Sequence, residues 1–174
     1  MCLTKSDKRK ARKTMLQEGD IAPDFALPSD GDKPLRLAEF RGKRVVLYFY
    51  PKDDTPGCTL EAQEFSALGK DFAASGAVVV GISPDTPACH ARFKTKHGLD
   101  LHLASDADKA VANAYGVWVE KQMYGRKYMG VARTTFLIAP DGRIERIWNK
   151  VKPNGHAAEV LASIACGKQG KNAR

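Results

Sequence analysis

Long hydrophobic runs are missing from this sequence of 174 residues. No apolar stretch approaches the roughly 20 residues that a membrane-spanning helix needs, so we expect no membrane segment. The first residues carry charges with no apolar stretch behind them, which differs from the pattern of a secretory signal. Hydrophobic residues still make up 43% of the chain, which is enough for the core of one compact domain. We therefore expect a single domain in the cytoplasm.

Paired cysteines are also missing. The C-x-x-C spacing of zinc ribbons and dithiol motifs does not occur among the four cysteines, which are Cys2, Cys58, Cys89 and Cys166. The four histidines lack ligand spacing on one face, so we expect neither a metal nor another cofactor. Without a secretory signal the thiols are expected to stay reduced. A well-placed cysteine is then more typical of catalysis or packing than of a structural disulfide.

Excess charge is absent from the body of the chain, although the formal net charge is +8. Residues 1–14 and 167–174 together account for all of this charge, and residues 15–166 are neutral in sum. A nucleic-acid-binding surface leaves a basic bias in the folded part of a protein. We therefore expect two disordered basic ends, 1–14 and 167–174, around a domain of residues 15–166 that has no nucleic-acid partner.

The sequence does contain an alternation of strand and helix patterns. Asp30-Gly31 lies between two short apolar segments, which predicts a hairpin. Later apolar runs predict strands at 45–50, 78–82, 101–104, 134–138 and 144–148. Helical spacings predict a first helix from Pro56 that stops at Ser75-Gly76, and further helices from Pro87 to Lys96, at 106–115 and at 155–166. This order predicts an α/β fold, a single thioredoxin-like domain with a central mixed sheet flanked by helices.

Cys58 lies where a buried strand leads into a helix. Thr55 is the expected N-cap and Pro56 the first helical residue, so Cys58 falls in the first turn. There its sulfur faces unpaired backbone N–H groups and the positive end of the helix dipole, which stabilise an anion. Only the thiolate is nucleophilic, and positions of this kind commonly lower a cysteine pKa from about 8.5. The pattern predicts a reactive thiol at the sheet edge where active sites form.

The residues around Cys58 resemble the active-site signature of the peroxiredoxin family. Pro51-x-x-x-Thr55-x-x-Cys58 matches the family pattern, and the longer stretch 50–61 is similar to the bacterioferritin-comigratory, or peroxiredoxin Q, subfamily. A later segment, 133–142, is similar to the strand that carries the family's active-site arginine. The resemblance extends from about residue 19 to residue 164. It implies a thioredoxin-like fold and a thiol peroxidase that reduces hydrogen peroxide and organic hydroperoxides.

The resemblance also implies the role of each site residue. Cys58 attacks a peroxide oxygen and becomes a sulfenic acid. Thr55 hydrogen-bonds the sulfur and the bound peroxide, Arg133 holds the thiolate and polarises the peroxide, and Pro51 shields the site. The backbone N–H groups of Gly57 and Cys58 complete a pocket for the negative charge that moves across both oxygens. From the residues alone, Arg133 equally fits a surface ion pair beside a strand.

The chain departs from the commoner form of this subfamily at Gln63. Many members carry a resolving cysteine there, five residues after the nucleophile, and other members carry it on the next helix, where this chain has Cys89. We expect Cys89 to resolve the sulfenic acid at Cys58 as a disulfide that thioredoxin reduces, in a monomeric enzyme. The alternative is a one-cysteine peroxidase that external thiols reduce directly.

Two functions of other classes are the remaining alternatives. A thioredoxin-like disulfide oxidoreductase relies on a C-x-x-C motif, and Thr55 stands where the first of its cysteines would be. A nucleic-acid-binding protein would have to rely on the basic ends of the chain, because its body is neutral.

Overall fold

The computed structural model describes residues 15–31 and 33–169 of the protein. The basic arm expected at 1–14 and the end of the chain at 170–174 lie outside the described residues. The last helix runs to Gln169, beyond residue 166, where we expected the domain to end. In the described part of the chain, no helix is long and apolar enough to cross a membrane.

Strands and helices alternate in the predicted order. The strands are β1 (Ala26–Leu27), β2 (Leu35–Arg36), β3 (Arg44–Phe49), β4 (Ala77–Ser83), β5 (His102–Ser105), β6 (Trp118–Met123), β7 (Arg126–Val131), β8 (Thr134–Ile138) and β9 (Ile144–Trp148). The helices are α1 (Pro56–Ala67), α2 (Gly69–Ala74), α3 (Pro87–His97), α4 (Ala110–Ala114) and α5 (His156–Gln169), and a 3-10 turn covers Leu37–Phe40. Two helices replace the single one predicted after Pro56, because the backbone leaves helical geometry at Leu68 (φ −94°, ψ 7°).

The central sheet has five strands in the order β5-β4-β3-β8-β9. Strands β3, β4 and β5 run parallel to one another, whereas β8 is antiparallel to both β3 and β9. The expected central mixed sheet is therefore confirmed. Two smaller antiparallel pairs, β1 with β2 and β6 with β7, lie outside it, and the first of them is the predicted hairpin.

Alternate residues of β3 face two separate cores. Leu47 and Phe49 belong to the hydrophobic cluster that includes Ala112 of α4. Val46 and Tyr48 belong to the other cluster, which includes side chains of α1, α3 and α5. Because both faces of the strand are covered, its sequence is continuously apolar and shows no alternation.

The positions of the strand ends bring three predicted site residues to one edge of the sheet. Phe49 pairs with Thr134 in antiparallel register, so the residue before Thr134, Arg133, lies beside the carboxyl end of β3. Phe49 also pairs with Ile82 in parallel register, so the loops after β3 and β4 leave the same edge. Helices α1 and α3, which carry Cys58 and Cys89, begin from these two loops.

The helix predicted at 106–115 is shorter in the structure. Lys109 has a positive φ of 60°, which is not helical, and α4 begins only after it. The carboxylate of Asp106 accepts hydrogen bonds from the N–H groups of Val111 (3.2 Å) and Ala112 (2.7 Å). This buried side chain therefore accepts from N–H groups at the start of α4 while lying outside the helix, as a capping residue does.

Candidate active site

Cys58 lies in the first turn of α1, where the sequence predicted it. Thr55 is the N-cap residue with an extended backbone (φ −88°, ψ 153°), and Pro56 begins the helix. The N–H of Thr59 donates to the carbonyl of Thr55 at 2.8 Å. The N–H groups of Gly57 and Cys58 precede this bond, so they have no partner within the helix. They face its amino end, where negative charge is stabilised.

Arg133 reaches Cys58 from the start of β8. Its Nη2 donates a hydrogen bond to Sγ of Cys58 at 3.2 Å. The thiol is almost completely buried, with 1% of Cys58 exposed, so the interaction is little screened by water. A hydrogen bond from a charged donor is stronger than one between neutral groups. The structure thus brings together two of the residues that the family resemblance assigned to the site.

A buried carboxylate, Glu61, holds the other side of the guanidinium. Its Oε2 accepts from Nη1 of Arg133, and the two side chains are 1% and 17% exposed. Burial raises the pKa of Glu61 to about 7, against the opposing effect of the Arg133 charge. Burial would lower the pKa of Arg133, but Glu61 and Cys58 raise it above its ordinary value. No local pattern of the sequence predicted this contact, because the two residues are 72 positions apart.

Two buried oxygen atoms in this region have no hydrogen-bond partner among the described residues. They are Oε1 of Glu61 and the hydroxyl of Tyr48. Burial is the largest cause that raises the pKa of Tyr48 well above its ordinary value, and the charge of Glu61 raises it further. Both residues are buried, with Tyr48 0% and Glu61 1% exposed. Unpaired polar groups in the interior lower the stability of the fold, and their presence is typical of functional sites.

Gly57 allows the guanidinium to approach the helix. A Cβ at this position would lie 3.2 Å from Nη2 of Arg133 and 3.4 Å from Cγ of Pro153. A side chain here would therefore push the guanidinium away from the sulfur. The loop that carries Pro153 is attached to the same place, because the N–H of Val151 donates to the carbonyl of Arg133 at 3.1 Å. Nothing in the sequence marks Pro153 as a site residue, since an isolated proline there indicates only a turn.

Thr55 and Pro51 lie in the loop between β3 and α1. The hydroxyl of Thr55 donates to the carbonyl of Lys52 at 2.9 Å and makes no side-chain cap bond. The hydroxyl proton of Thr55 is thus used within the loop, and the lone pairs of the hydroxyl oxygen remain free to accept a hydrogen bond. Pro51 is partly buried, two residues after the end of β3. Within residues 15–31 and 33–169, no three His, Cys, Asp or Glu side chains are placed to hold a metal ion.

Known proteins are similar to this chain in sequence over most of its length. The putative peroxiredoxin Bcp of Coxiella burnetii is 48% identical over 149 residues, which cover 86% of this chain and 99% of that protein. Peroxiredoxin Bcp of Bacillus subtilis is 44% identical over 149 residues, which cover 86% and 95%. The model of the AhpC/TSA family matches residues 19–147. This chain is a peroxiredoxin of that family. Peroxiredoxins are thiol peroxidases that reduce hydroperoxides, so the enzyme class expected from the resemblance is confirmed.

Solved structures show the same fold. The bacterioferritin comigratory protein of Xanthomonas campestris, described with an alkyl peroxide reduction activity, is 40% identical with a TM-score of 0.78. The match covers 82% of this chain and 91% of that one. A peroxiredoxin Q variant from Xylella fastidiosa has a TM-score of 0.84 at 36% identity, covering 89% and 99%. The predicted thioredoxin-like α/β fold is therefore confirmed.

Cys89 of this peroxiredoxin occupies the same place in α3 that Cys58 occupies in α1. Thr86 is the N-cap residue, and its hydroxyl accepts a bond from the N–H of Cys89 at 3.2 Å. Nη2 of Arg92 donates to Sγ of Cys89 at 3.3 Å. Hydrogen bonds from Thr86 and Arg92 lower the pKa of Cys89. Both cysteines are free thiols, but Cys89 is partly exposed and borders a cavity of about 330 Å³.

A buried polar network joins the loop before α1 to α3. The carboxylate of Asp53 accepts from the hydroxyl of Tyr50 at 2.5 Å and contacts Nδ1 of His90 at 2.7 Å. The other ring nitrogen of His90 lies 3.1 Å from the carbonyl of Ala104. The N–H of Asp53 donates to the carboxylate of Asp85 at 2.8 Å. Asp53 and His90 are 37 residues apart, and no local pattern predicted their contact.

Proposed function

We propose that Cys58 is the nucleophile with which this peroxiredoxin reduces hydrogen peroxide and organic hydroperoxides. The observation that carries the proposal is the 3.2 Å hydrogen bond from Arg133 to Sγ of Cys58, at the amino end of α1. A fixed positive charge and a helix dipole act on the same sulfur. Both favour the thiolate, which is the nucleophilic form of cysteine.

The remaining site residues assist the attack on the peroxide. As the sulfur bonds to one oxygen, negative charge moves to the other, and donors along this path stabilise the transition state. Arg133 and the N–H groups of Gly57 and Cys58 are those donors. Thr55 accepts the hydroxyl hydrogen of the bound peroxide, because its own proton is held within the loop. Pro51 shields the site from bulk water.

Cys89 resolves the sulfenic acid that forms at Cys58. Its sulfur attacks the sulfenic sulfur, a disulfide forms, and water leaves. The lowered pKa and partial exposure of Cys89 suit an attacking thiol. Cys58 is 1% exposed, and a disulfide needs Cα atoms within about 7 Å, so the first turn of α1 unwinds before the bond forms. The contact between Asp53 and His90 joins the two helix starts and must rearrange with them.

Thioredoxin is the reductant that we assign to the resulting disulfide. Thioredoxin reduces disulfides by thiol–disulfide exchange, and an intramolecular disulfide between Cys58 and Cys89 is a substrate of that kind. We further propose that the enzyme acts as a monomer in the cytoplasm. Sedimentation of the reduced and the oxidised protein tests the oligomeric state directly.

Mass spectrometry of protein treated with one equivalent of peroxide tests this function. We expect a disulfide between Cys58 and Cys89 in the wild type and in the control variant Cys166→Ser, which changes an exposed cysteine. Cys58→Ser is expected to consume no peroxide. Peroxide consumption by Cys58→Ser at the wild-type rate contradicts the proposal. A sulfenic acid on Cys58 beside a free Cys89 supports the one-cysteine alternative instead.

A further inference from the structure

The hairpin of β6 and β7 lies next to the Cys58 site. Strand β7 ends at Val131, two residues before Arg133, so the base of the hairpin adjoins the active-site arginine. The base is attached to the domain, because the N–H of Ala132 donates to the carbonyl of Val117 at 2.8 Å. Val131 is also buried, at 2% exposed. Side chains that extend toward this base are therefore held close to Arg133.

Lys121 extends toward the base of the hairpin. In the strand register, Lys121 pairs with Tyr128, and Val119 pairs with Gly130 two residues nearer the base. A Cβ on Gly130 would lie 3.3 Å from Cδ and 3.6 Å from Cε of Lys121. The lysine side chain thus crosses diagonally over Gly130, in space that a larger residue would fill. Its ammonium group lies near enough to Arg133 and Cys58 to interact electrostatically with both.

Lys121 has no acidic counter-ion in the described part of the chain. The side chain is partly buried, and no acidic group of the described residues forms an ion pair or a hydrogen bond with it. Burial lowers the pKa of Lys121, the positive charge of Arg133 lowers it further, and Cys58 raises it. A lysine in such a place holds its proton less tightly than an exposed lysine does. By contrast, Lys127 is 73% exposed and lies 3.8 Å from Glu120.

The peroxidase reaction needs a proton donor for the oxygen that leaves the peroxide. The sulfur of Cys58 bonds to the terminal peroxide oxygen, which keeps its hydrogen, and the sulfur is oxidised to sulfenic acid. The O–O bond breaks, and the second oxygen leaves with the bonding pair as RO⁻. This oxygen becomes the alcohol ROH only after it takes up one proton. Arg133 does not supply it, because guanidinium stays protonated in proteins. Glu61 is 1% exposed, and its carboxylate is already held by the guanidinium of Arg133.

We propose that Lys121 is the general acid that gives this proton to the leaving oxygen. The proposal rests on the assignment of Cys58 as the nucleophile. The ammonium group becomes a neutral amine as RO⁻ becomes ROH, and the partly exposed amine then takes a proton from water. Proton donation of this kind accelerates the reaction most when the leaving oxygen is a strong base.

Two substrates and three variants test the role of Lys121. Cumene hydroperoxide releases a strongly basic alkoxide, whereas peracetic acid releases acetate, which leaves without a proton. Lys121→Met removes the ammonium group, and Lys121→Arg keeps a positive charge that does not donate its proton. Lys127→Met changes a lysine of the same hairpin that faces away from the site. The measurement is the rate of Cys58 oxidation in a single turnover, by rapid quenching and mass spectrometry.

We expect Lys121→Met and Lys121→Arg to oxidise Cys58 about 10²-fold more slowly than the wild type with cumene hydroperoxide. Both variants should react with peracetic acid near the wild-type rate, which also shows that their sites are folded. Lys127→Met should match the wild type with both substrates.

Three results would overturn the proposal. A wild-type rate of Lys121→Arg with cumene hydroperoxide means that only a positive charge is needed. An equal loss of rate with both substrates means that Lys121 shapes the site and donates no proton. An unchanged rate of Lys121→Met means that it has no part in the reaction. Failure of the underlying function has a different signature, because the wild type would then oxidise Cys58 with neither substrate.

Discussion

Replacement of Glu61 by glutamine is expected to change how the stability of the protein depends on pH. Burial raises the pKa of Glu61 from an ordinary value of 4.5 to about 7 in the folded protein. A group whose pKa is raised by folding contributes stability that is complete below its unfolded pKa and is lost as the pH rises through its folded pKa. The wild type should therefore lose stability relative to Glu61→Gln between about pH 4.5 and pH 7.

The size of this effect follows from the shift. One pKa unit corresponds to about 1.4 kcal/mol, so a shift from 4.5 to about 7 corresponds to about 3 kcal/mol. Solvent screening reduces this little, because the side chain of Glu61 is 1% exposed. Glutamine keeps nearly the same shape and still accepts a hydrogen bond from Arg133, but it has no proton to lose in this range.

Urea unfolding of both proteins at pH 5, 6, 7 and 8 measures the effect. From pH 5 to pH 8, the free energy of unfolding of the wild type should fall relative to Glu61→Gln by about 2 to 3 kcal/mol. Glu39→Gln is the matched control, because Glu39 is an exposed glutamate, and its difference from the wild type should not change. A difference between Glu61→Gln and the wild type that stays constant over this range would refute the reasoning.

Three other substitutions test the contacts around the sulfur. Arg133→Met should slow alkylation of Cys58 at neutral pH about 10-fold or more, because a hydrogen bond to a charged group contributes about 1.5–3 kcal/mol; unchanged alkylation removes Arg133 from the site. Gly57→Ala should slow peroxide reduction about 10-fold by displacing the guanidinium, and wild-type rates would show that the arginine accommodates a side chain. Cys89→Ser should consume one equivalent of peroxide and then accumulate sulfenic and sulfinic acid on Cys58; full thioredoxin-coupled NADPH oxidation would contradict its role as resolving cysteine.

The local structure of the site was predictable from the sequence because local residues determine it. Thr55 and Pro56 mark the start of α1, since an extended N-cap and a residue without an N–H suit this position whatever surrounds it. Cys58 is the third residue after the N-cap Thr55, so it falls in the first turn of the helix. The apolar runs at 45–50 and 78–82 predicted β3 and β4, because strands covered on both faces show no polar alternation.

The hairpin of β6 and β7 was not recognised in the sequence. Few of its residues are buried, so it lacks the alternation of apolar and polar residues that marks a half-buried strand. Its turn also has an unusual residue, because Tyr124 adopts a positive φ of 51° directly before Gly125. Sequence rules assign such a conformation to glycine, asparagine or aspartate. The family resemblance named Arg133 but not its neighbour Lys121, whose place depends on this hairpin.

The sequence by itself determined the five strands of the central sheet, the start of α1 and the place of Cys58 in its first turn. Only the tertiary structure decided what surrounds the sulfur. Glu61 meets Arg133 across 72 residues of chain, and Asp53 meets His90 across 37, because the strand order and register of the sheet place them together. Local propensity depends on neighbours within a few residues, so it carries no information about register between distant segments. For this reason the place of Cys58 was visible in the sequence, whereas the ion pair between Arg133 and Glu61 beside its sulfur was visible only in the fold.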